Sequence, residues 1–150
     1  MIEIVEYEDK YLKDITELYN LWDGLEDLSC EQMQKTIDAY RKNTENKTFI
    51  AVDENGTGVG YIFFGPVYLL GVPPFVEIIQ IMIKESHRGQ GIGKRLMQLA
   101  ENEYRNTDIK EARLHSRVVL KKAHTFYEGL GFKEFKESKF FIKSIDYTNQ

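Results

Sequence analysis

The spacing of apolar residues switches between the period of a strand and the period of a helix along the chain. At the start, an acidic residue separates Ile2 from Ile4, which predicts a half-buried strand. Asp9 then supplies an N-cap, and apolar residues recur every three or four positions as far as Trp22, which predicts a first helix. A second helix is predicted to begin at Ser29, which opens a capping-box pattern.

The next segments are predicted to pair as a β-hairpin. Thr48–Val52 and Val59–Val67 are rich in β-branched and aromatic residues, and an Asn-Gly turn pair lies between them. Gly71–Pro74 follows as a predicted loop, whose prolines end regular pairing. From Val76 onward the chain is nearly apolar on both faces, which is typical of a central strand.

The remainder alternates again between helix and strand. A helical period over Ile92–Tyr104 leads into a short strand over Ala112–Val119, and this succession predicts parallel strands with a right-handed crossover. A short helix over Lys122–Leu130 ends at a glycine cap, and Phe132–Phe135 and Phe140–Ile145 are predicted to pair as a closing hairpin. These elements predict one mixed α/β domain over residues 1–150, with a mainly antiparallel sheet of six to seven strands flanked by helices.

Composition excludes several classes of function. The net charge of -4 argues against a general nucleic-acid surface, because that affinity comes mostly from lysine and arginine. No apolar run approaches the roughly 18 residues of a membrane span, and the N-terminus lacks the pattern of a signal peptide. The single cysteine, Cys30, and the lack of paired Cys or His spacing predict neither a disulfide nor a metal site. We therefore expect a soluble cytoplasmic protein.

The turn before the Ile92 helix has the sequence Arg88-Gly89-Gln90-Gly91-Ile92-Gly93-Lys94. Glycines let main chain approach a ligand, and the start of a helix carries the positive end of its dipole, so the turn predicts an anion site. A Walker phosphate loop is excluded because Arg95 stands where that motif needs serine or threonine. The dinucleotide motif also fails, because the glycine spacing differs and the turn lies late in the chain.

Two blocks of sequence together resemble the GCN5-related N-acetyltransferase (GNAT) family. The first is R/Q-x-x-G-x-G/A, represented by Arg88, Gly91 and Gly93, and the second is A-x-x-F-Y-x-x-x-G-F over Ala123–Phe132. The resemblance covers roughly residues 48–145 and implies a sheet with splayed central strands and an acetyl-CoA-dependent N-acetyltransferase. Within the family, the two blocks are similar to those of small-molecule enzymes that act on aminoglycosides and aminoalkylphosphonates.

The resemblance implies that acetyl-CoA binds along the central strand and the glycine turn. The pyrophosphate would lie on the amides at the helix start, and the pantetheine arm would pair with exposed main chain of the preceding strand. Lys84 and Arg95 add positive potential. The expected cofactor-binding residues are Ile81, Met82, Ile83, Arg88, Gly89, Gln90, Gly91, Ile92, Gly93 and Lys94. Leu120 departs from the family pattern, because many members have an asparagine there that contacts the cofactor.

Tyr127 and Glu77 are the candidate catalytic residues. In the family a tyrosine at the position of Tyr127 returns a proton to the thiolate that leaves during acetyl transfer, and the alternative for Tyr127 is a packing role. Glu77 lies on a central strand, where a carboxylate is costly unless it is paired or works as a base for the incoming ammonium. His115 on the next strand is a second candidate base, and the alternative is that it is a structural or an exposed histidine.

The acceptor amine is expected near the loop between the first two helices. An aromatic wall and several carboxylates would suit a cationic amine, and the alternative is that the acids only cap a helix. The expected substrate-binding residues are Trp22, Asp23, Glu26, Asp27 and Tyr68.

We expect direct attack of a small primary amine on the thioester, with no metal. The alternative acceptors are a protein N-terminus or a lysine, and a non-catalytic acyl-CoA-binding module is the alternative from another class. A homodimer is kept open as the assembly.

Overall fold

The computed structural model describes residues 1–22 and 25–149, which belong to two compact units, Met1–His115 and Ser116–Gln150. The first unit holds strands β1 (Glu3–Glu6), β2 (Lys47–Val52), β3 (Gly58–Leu69), β4 (Val72–Ile83) and β5 (Ala112–Arg113), and helices α1 (Leu12–Tyr19), α2 (Cys30–Arg41) and α3 (Ile92–Asn102). The second unit holds α4 (Lys121–Gly129). Short 3-10 turns occur at Asp9–Tyr11, Glu85–His87 and Tyr147–Asn149. A single domain over the whole chain stays a prediction.

The five strands lie side by side in chain order, β1-β2-β3-β4-β5. Neighbouring strands are antiparallel except for β4 and β5, which are parallel. The prediction of a mixed, mainly antiparallel sheet flanked by helices is therefore confirmed, and so is the parallel pairing on either side of α3. The predicted strand count of six to seven is wrong, because the described part of the chain forms five.

The missing strands are those of the closing hairpin. Neither Phe132–Phe135 nor Phe140–Ile145 is a strand, and the side chains of Phe135 and Phe140 are 86% and 90% exposed. Aromatic and β-branched residues favour strands because they pack well on a pleated, half-buried surface. The sequence pattern was therefore present without the burial that gives it its stabilising effect.

The predicted loop at Gly71–Pro74 is also wrong. β4 already begins at Val72, which pairs with Leu69 across a tight turn. The register between β3 and β4 shifts between Val67 and Leu69. Such an irregularity removes ladder hydrogen bonds locally, and prolines, which have no N–H to donate, are tolerated at positions of this kind.

Two element ends differ from the prediction. Asp9 does not cap α1, which begins at Leu12 after a 3-10 turn; its carboxylate accepts a 2.6 Å hydrogen bond from Arg41 on α2 instead. The strand predicted over Ala112–Val119 stops at Arg113. Val119 is 68% exposed, so burial does not hold the rest of that segment in the sheet.

Local chemistry confirms other predictions. Ser29 caps α2 through a complete capping box with Gln32, and the hairpin between β2 and β3 turns at Gly56, whose φ is 77°.

The hydrophobic core packs on both faces of the sheet. One face of the sheet packs against α1 and α2 through Tyr7, Tyr11, Ile15, Leu18, Met33, Ile37, Ile50, Val52, Tyr61, Phe63 and Met82. Residues that alternate with these along the strands, such as Phe64, belong to the other face, where α3 packs.

The second unit is organised around the end of α4. Gly131 has a φ of 96° and donates its N–H to Glu128 O, while Phe132 donates its N–H to Tyr127 O. These two bonds form a Schellman motif, so the prediction that Gly131 ends this helix is confirmed.

Of the helices in the described ranges, none has the length and apolar character needed to cross a membrane.

Candidate functional site

The pairing of β4 with β5 is short and leaves one edge of β4 open within residues 1–115. The two strands pair only at Val76 with Ala112 and at Glu77 with Arg113, whereas β4 continues to Ile83. Beyond Glu77 this edge of β4 has no partner strand among the described residues of that range. An edge of this kind can accept an extended ligand that carries amide groups.

The register of β3 and β4 decides which main-chain groups face the open edge. Lys84 donates its N–H to Val59 O, and Met82 lies opposite Tyr61 in the same ladder. Because N–H and C=O directions alternate along a strand, Ile81 and Ile83 direct their main-chain groups away from β3 and toward the open edge. Both are among the residues expected to bind the cofactor.

A β-bulge lies just before these residues. Phe63 pairs with Gln80 and Phe64 pairs with Ile78, so Ile79 is an extra residue on β4. A bulge bends its strand and increases the local twist. The bend falls between the part of β4 that pairs with β5 and the part with the open edge.

The glycine turn leads from this edge into α3. Gly89 and Gly91 have φ values of 78° and 80°, a region that other residues adopt only with strain, and a Cβ at either position would meet open space. Gly91 is the N-cap of α3 and has no side chain to offer, so no side-chain cap covers the first turn. The main-chain N–H groups of this turn, beginning with Ile92 and the buried Gly93, form an anion-binding geometry.

The cations around the turn have different partners. Arg88 is exposed and donates from Nε to Ile83 O at 3.0 Å, which joins the turn to the end of β4. Arg95 donates to Ile2 O at 3.0 Å and so anchors the N-terminal segment. Gln90, Lys94 and Lys84 are exposed. All four cations contribute positive charge near the turn, but Arg88 is fixed to the end of β4 whereas Arg95 is fixed to the N-terminal segment.

Glu77 and His115 lie together where β4 and β5 pair. The carboxylate of Glu77 is 34% exposed, and its Oε1 atom is 3.6 Å from Nδ1 of His115, which is 84% exposed. Their contact forms an ion pair only when the histidine is protonated. The two candidate bases thus share one location, and which of them takes a proton stays a prediction.

The predicted acceptor residues do not all lie together. Trp22 packs against the core cluster and donates from Nε1 to the hydroxyl of Tyr61 at 3.2 Å, while Glu26 and Asp27 are exposed. Asp23 lies outside the described residues. Tyr68 donates to Glu45 Oε2 at 2.8 Å in a separate depression of about 430 Å³.

Tyr68 is also distant from Trp22 along the sheet. Trp22 contacts Tyr61 near the start of β3, and Tyr68 lies roughly 20 Å further along the same strand, because each strand residue advances the chain by about 3.3 Å. The two aromatic residues therefore do not form a common wall.

Tyr127 belongs to the second unit, where it lies on α4. Its ring is 6.1 Å from that of Phe132 in an edge-on arrangement and 5.5 Å from that of Phe126. Burial raises the pKa of the Tyr127 hydroxyl above its ordinary value. At neutral pH the group is therefore a proton donor, as the predicted acid role requires, and its contact with Phe132 also fits the packing alternative.

Sequence reasoning missed two residues, Tyr61 and Gln80, that connect Trp22 in the loop after α1 to β4. Tyr61 is fully buried and donates its hydroxyl to Gln80 Oε1 at 3.1 Å. Gln80 directly precedes Ile81 at the open edge. A polar residue in a mostly apolar strand was the available signal for Gln80, whereas Tyr61 looked like any other core aromatic residue. Among the described residues, no group of three or more metal-ligating side chains is present.

Comparisons with known proteins agree with this architecture. Residues 12–132 match the family described as the acetyltransferase (GNAT) family. N-alpha-acetyltransferase 30 of Schizosaccharomyces pombe is 28% identical over 147 residues, which cover 97% of this chain and 94% of that protein.

Solved structures extend the likeness to the fold. An aminoglycoside N-acetyltransferase, AAC(6')-Iy in complex with CoA, superposes with a TM-score of 0.80 at 20% identity, covering 97% of this chain and 96% of that one. An aminoglycoside 6'-N-acetyltransferase, AAC(6')-IG from Acinetobacter haemolyticus, also reaches 0.80 at 20% identity, with coverages of 96% and 99%.

Proposed function

The chain belongs to the acetyltransferase (GNAT) family, and from this premise we propose that it transfers acetyl from acetyl-CoA to the primary amine of a small cationic molecule. The family membership makes it an N-acetyltransferase. The nature of the acceptor and the roles of individual residues are the proposed part.

One observation supports acetyl-CoA binding by these particular residues. The outward main chain of Ile81 and Ile83 leads directly, through Arg88, into a helix start that has no side-chain cap. The pantetheine arm carries amides that can pair with such an edge, and the pyrophosphate is an anion suited to such a helix start. The residues proposed to hold the cofactor are Ile81, Met82, Ile83, Arg88, Gly89, Gln90, Gly91, Ile92, Gly93 and Lys94. Of these, Met82 is buried and its main chain faces β3, so its contribution would come from packing.

The proposed chemistry is direct attack by the amine. When bound, acetyl-CoA supplies an activated acetyl thioester. The ammonium must first lose a proton, and Glu77, directly or through water, is proposed to accept it, with His115 as the neighbouring alternative. The C–N bond forms as the C–S bond breaks, and the Tyr127 hydroxyl is proposed to protonate the departing thiolate. The outward N–H of Ile81 would stabilise negative charge on the acetyl oxygen.

The small cationic acceptor is supported by the loop between α1 and α2. Trp22 is joined through Tyr61 to Gln80, one residue before the open edge, so the loop is tied close to the proposed site. The exposed carboxylates of Glu26 and Asp27 follow in the same loop, and Asp23 is part of its sequence. An aromatic ring and carboxylates attract a cation. Tyr68 is retained as a predicted substrate residue only through sequence, since its contacts lie elsewhere.

A peptide N-terminus is the second candidate acceptor. It is supported by the likeness to N-alpha-acetyltransferase 30, which extends over nearly the whole chain. A peptide α-amine, with a pKa near 8, needs less help from a base than an alkylamine with a pKa near 10. The cytoplasm as the compartment and a homodimer as the assembly stay predictions.

The proposal is tested by following thiol release from acetyl-CoA with matched sets of acceptors. One set contains aminoglycosides and alkyl polyamines, and the other contains peptides that differ only in a free or blocked N-terminus. Faster turnover with a small amine supports the first candidate, and faster turnover that depends on the free N-terminus replaces it with the second. Binding of CoA without transfer to either set would favour the non-catalytic module.

The acid role of Tyr127 is tested by Tyr127→Phe, with Tyr147→Phe as the control in the same unit. Tyr147 is 68% exposed, so its hydroxyl can be removed with little effect on packing. We expect kcat to fall about 100-fold in Tyr127→Phe, because a positioned general acid contributes roughly 100- to 10,000-fold. The Kd of CoA should not change in either variant. Unchanged kcat in Tyr127→Phe would assign this ring to packing against Phe132.

A further inference from the structure

A chain of side-chain hydrogen bonds connects the loop after α1 to the open edge of β4. The indole Nε1–H of Trp22 donates to the hydroxyl of Tyr61 at 3.2 Å, and that hydroxyl donates to Gln80 Oε1 at 3.1 Å. An indole can only donate, so the Tyr61 hydroxyl accepts the first bond, and its own O–H is left to donate the second. Gln80 thus presents its carbonyl oxygen to Tyr61.

Tyr61 is the central member of this chain. Its side chain is fully buried, and burial raises the pKa of its hydroxyl. The hydroxyl is therefore protonated at all physiological pH values and keeps one donor and one acceptor bond. It lies on the same sheet face as Gln80, because Tyr61 pairs with Met82 and Gln80 is the next β4 residue on that face.

The two ends of this hydrogen-bond chain, Trp22 and Gln80, lie in the region proposed for the acceptor. Trp22 begins the loop that carries Glu26 and Asp27, and Gln80 precedes the outward main chain of Ile81. Among the described residues, the hydroxyl of Tyr61 is the only group that hydrogen-bonds to both Trp22 and Gln80. Removing it would leave the indole N–H and the glutamine carbonyl without their partner.

We propose that Tyr61 is a positioning residue for the acceptor: its buried hydroxyl fixes the Trp22 end of the loop against β4 and sets the orientation of the Gln80 amide beside the reaction site. This inference rests on the proposed function. A purely structural tyrosine would contribute to stability alone, whereas a positioning residue also determines how well the acceptor binds.

The chain offers a matched control in Tyr40. Its hydroxyl is also partly buried and donates to Phe64 O at 2.6 Å, but Tyr40 belongs to α2 and its hydroxyl bonds to neither Trp22 nor Gln80. Tyr61→Phe and Tyr40→Phe each remove one hydrogen-bonded hydroxyl and keep the ring. Both variants should unfold at a lower temperature, because each leaves buried polar groups without a partner.

The first readout needs no substrate. Trp22 is the single tryptophan of the chain, so fluorescence excited selectively at tryptophan, and not at the tyrosines, reports its surroundings alone. We expect Tyr61→Phe to shift Trp22 emission to longer wavelength and to increase its quenching by acrylamide, and Tyr40→Phe to leave both unchanged. Identical spectra for Tyr61→Phe and wild type would overturn the proposal, whatever the acceptor is.

The second readout is kinetic. With the best amine from the acceptor screen, Tyr61→Phe should raise the acceptor KM about tenfold, while the CoA Kd stays within twofold of wild type. Tyr40→Phe should leave both values unchanged. An equal rise in KM for both variants, or none for Tyr61→Phe, would overturn the positioning role. If wild type transfers acetyl to no amine, the proposed function fails, and the fluorescence result alone then decides whether Tyr61 positions Trp22.

Discussion

Helices α2 and α3 begin in opposite ways. At α2, Ser29 Oγ accepts from the Gln32 N–H at 3.1 Å, and Gln32 Oε1 accepts from the Ser29 N–H at 2.8 Å. At α3, the N-cap is Gly91, which has no side chain and a φ of 80°. A helix start needs partners for its first N–H groups. In α2 a side chain accepts from one of them, the Gln32 N–H, whereas no side chain caps α3, so the difference separates a capped helix start from the one proposed to bind the cofactor.

The strongest challenge to this contrast is Gly91→Ala, with Gly56→Ala as the control. Gly56 and Gly91 have φ values of 77° and 80°, and neither has an atom within 4 Å of the position that a Cβ would take. Both variants should therefore lose about 1–2 kcal/mol of unfolding free energy. Only Gly91→Ala should raise the CoA Kd, by tenfold or more, since it redirects the N–H groups at the helix start. Calorimetry with CoA measures this, and equal Kd values for both variants would end the distinction between the two helix starts.

The neighbouring arginines sharpen the comparison at α3. Arg88→Gln should raise the CoA Kd about tenfold and reduce its dependence on salt, because a guanidinium beside a pyrophosphate makes charge-assisted hydrogen bonds. Arg95→Gln should leave the Kd unchanged, because Arg95 contacts Ile2 O. Titration with CoA at low and high salt measures both effects. An equal loss of affinity in the two variants would mean that diffuse charge, and not the turn geometry, binds the phosphates.

The cap of α2 should affect stability alone. Ser29→Ala should cost about 1 kcal/mol of unfolding free energy, whereas Ser29→Asp should retain most of it, since aspartate is also a good N-cap. Urea denaturation measures these values. The CoA Kd should be the same in both variants, and a Kd that changed together with the cap would show that the two helix starts are coupled.

The smallest expected effect is the pH dependence of the Asp9 contact with α2. The Arg41 guanidinium, with help from Gln34, holds the pKa of the Asp9 carboxyl below its ordinary value. The carboxylate therefore stabilises the fold above the unfolded-state value near 4, and this contribution is lost as pH falls through the lower folded-state value. Wild type should exceed Asp9→Asn by about 0.5 kcal/mol at pH 7, since exposed pairs contribute roughly 0.2–1 kcal/mol. The thermal unfolding difference should shrink toward pH 3, and a constant difference would assign it to something other than this charge.

The sequence predicted best those features that depend on neighbours along the chain. The capping box at Ser29, the turn at Gly56, the glycine turn at Gly91 and the glycine cap at Gly131 each follow from a few adjacent residues. Backbone conformations of this kind are largely decided by local sterics and local hydrogen bonds. This is why the start of α3, at the proposed cofactor site, could be anticipated from the sequence.

Features that depend on distant partners could not be predicted in this way. The bond from Trp22 to Tyr61 joins residues 39 apart, and the bond from Tyr61 to Gln80 joins residues 19 apart. The register shift that allows β4 to begin beside two prolines depends on β3. The closing hairpin failed for the converse reason, because Phe140 and its neighbours have strand character and little burial. Tyr68 was grouped with Trp22 because both are aromatic, but Trp22 contacts the start of β3 and Tyr68 lies near its other end.

The end of α4 has a consequence for the order of folding. The Gly131 and Phe132 bonds to α4, and the contact of the Phe132 ring with Tyr127, join residues that are almost adjacent in sequence. Closing such short loops costs little chain entropy, whereas the pairing of β1 with β2 must close a segment that includes α1 and α2. The surroundings of Tyr127 can therefore form early, before the sheet is complete. A peptide that contains α4 and the Phe132 turn should accordingly show part of the native chemical shifts of Tyr127 on its own.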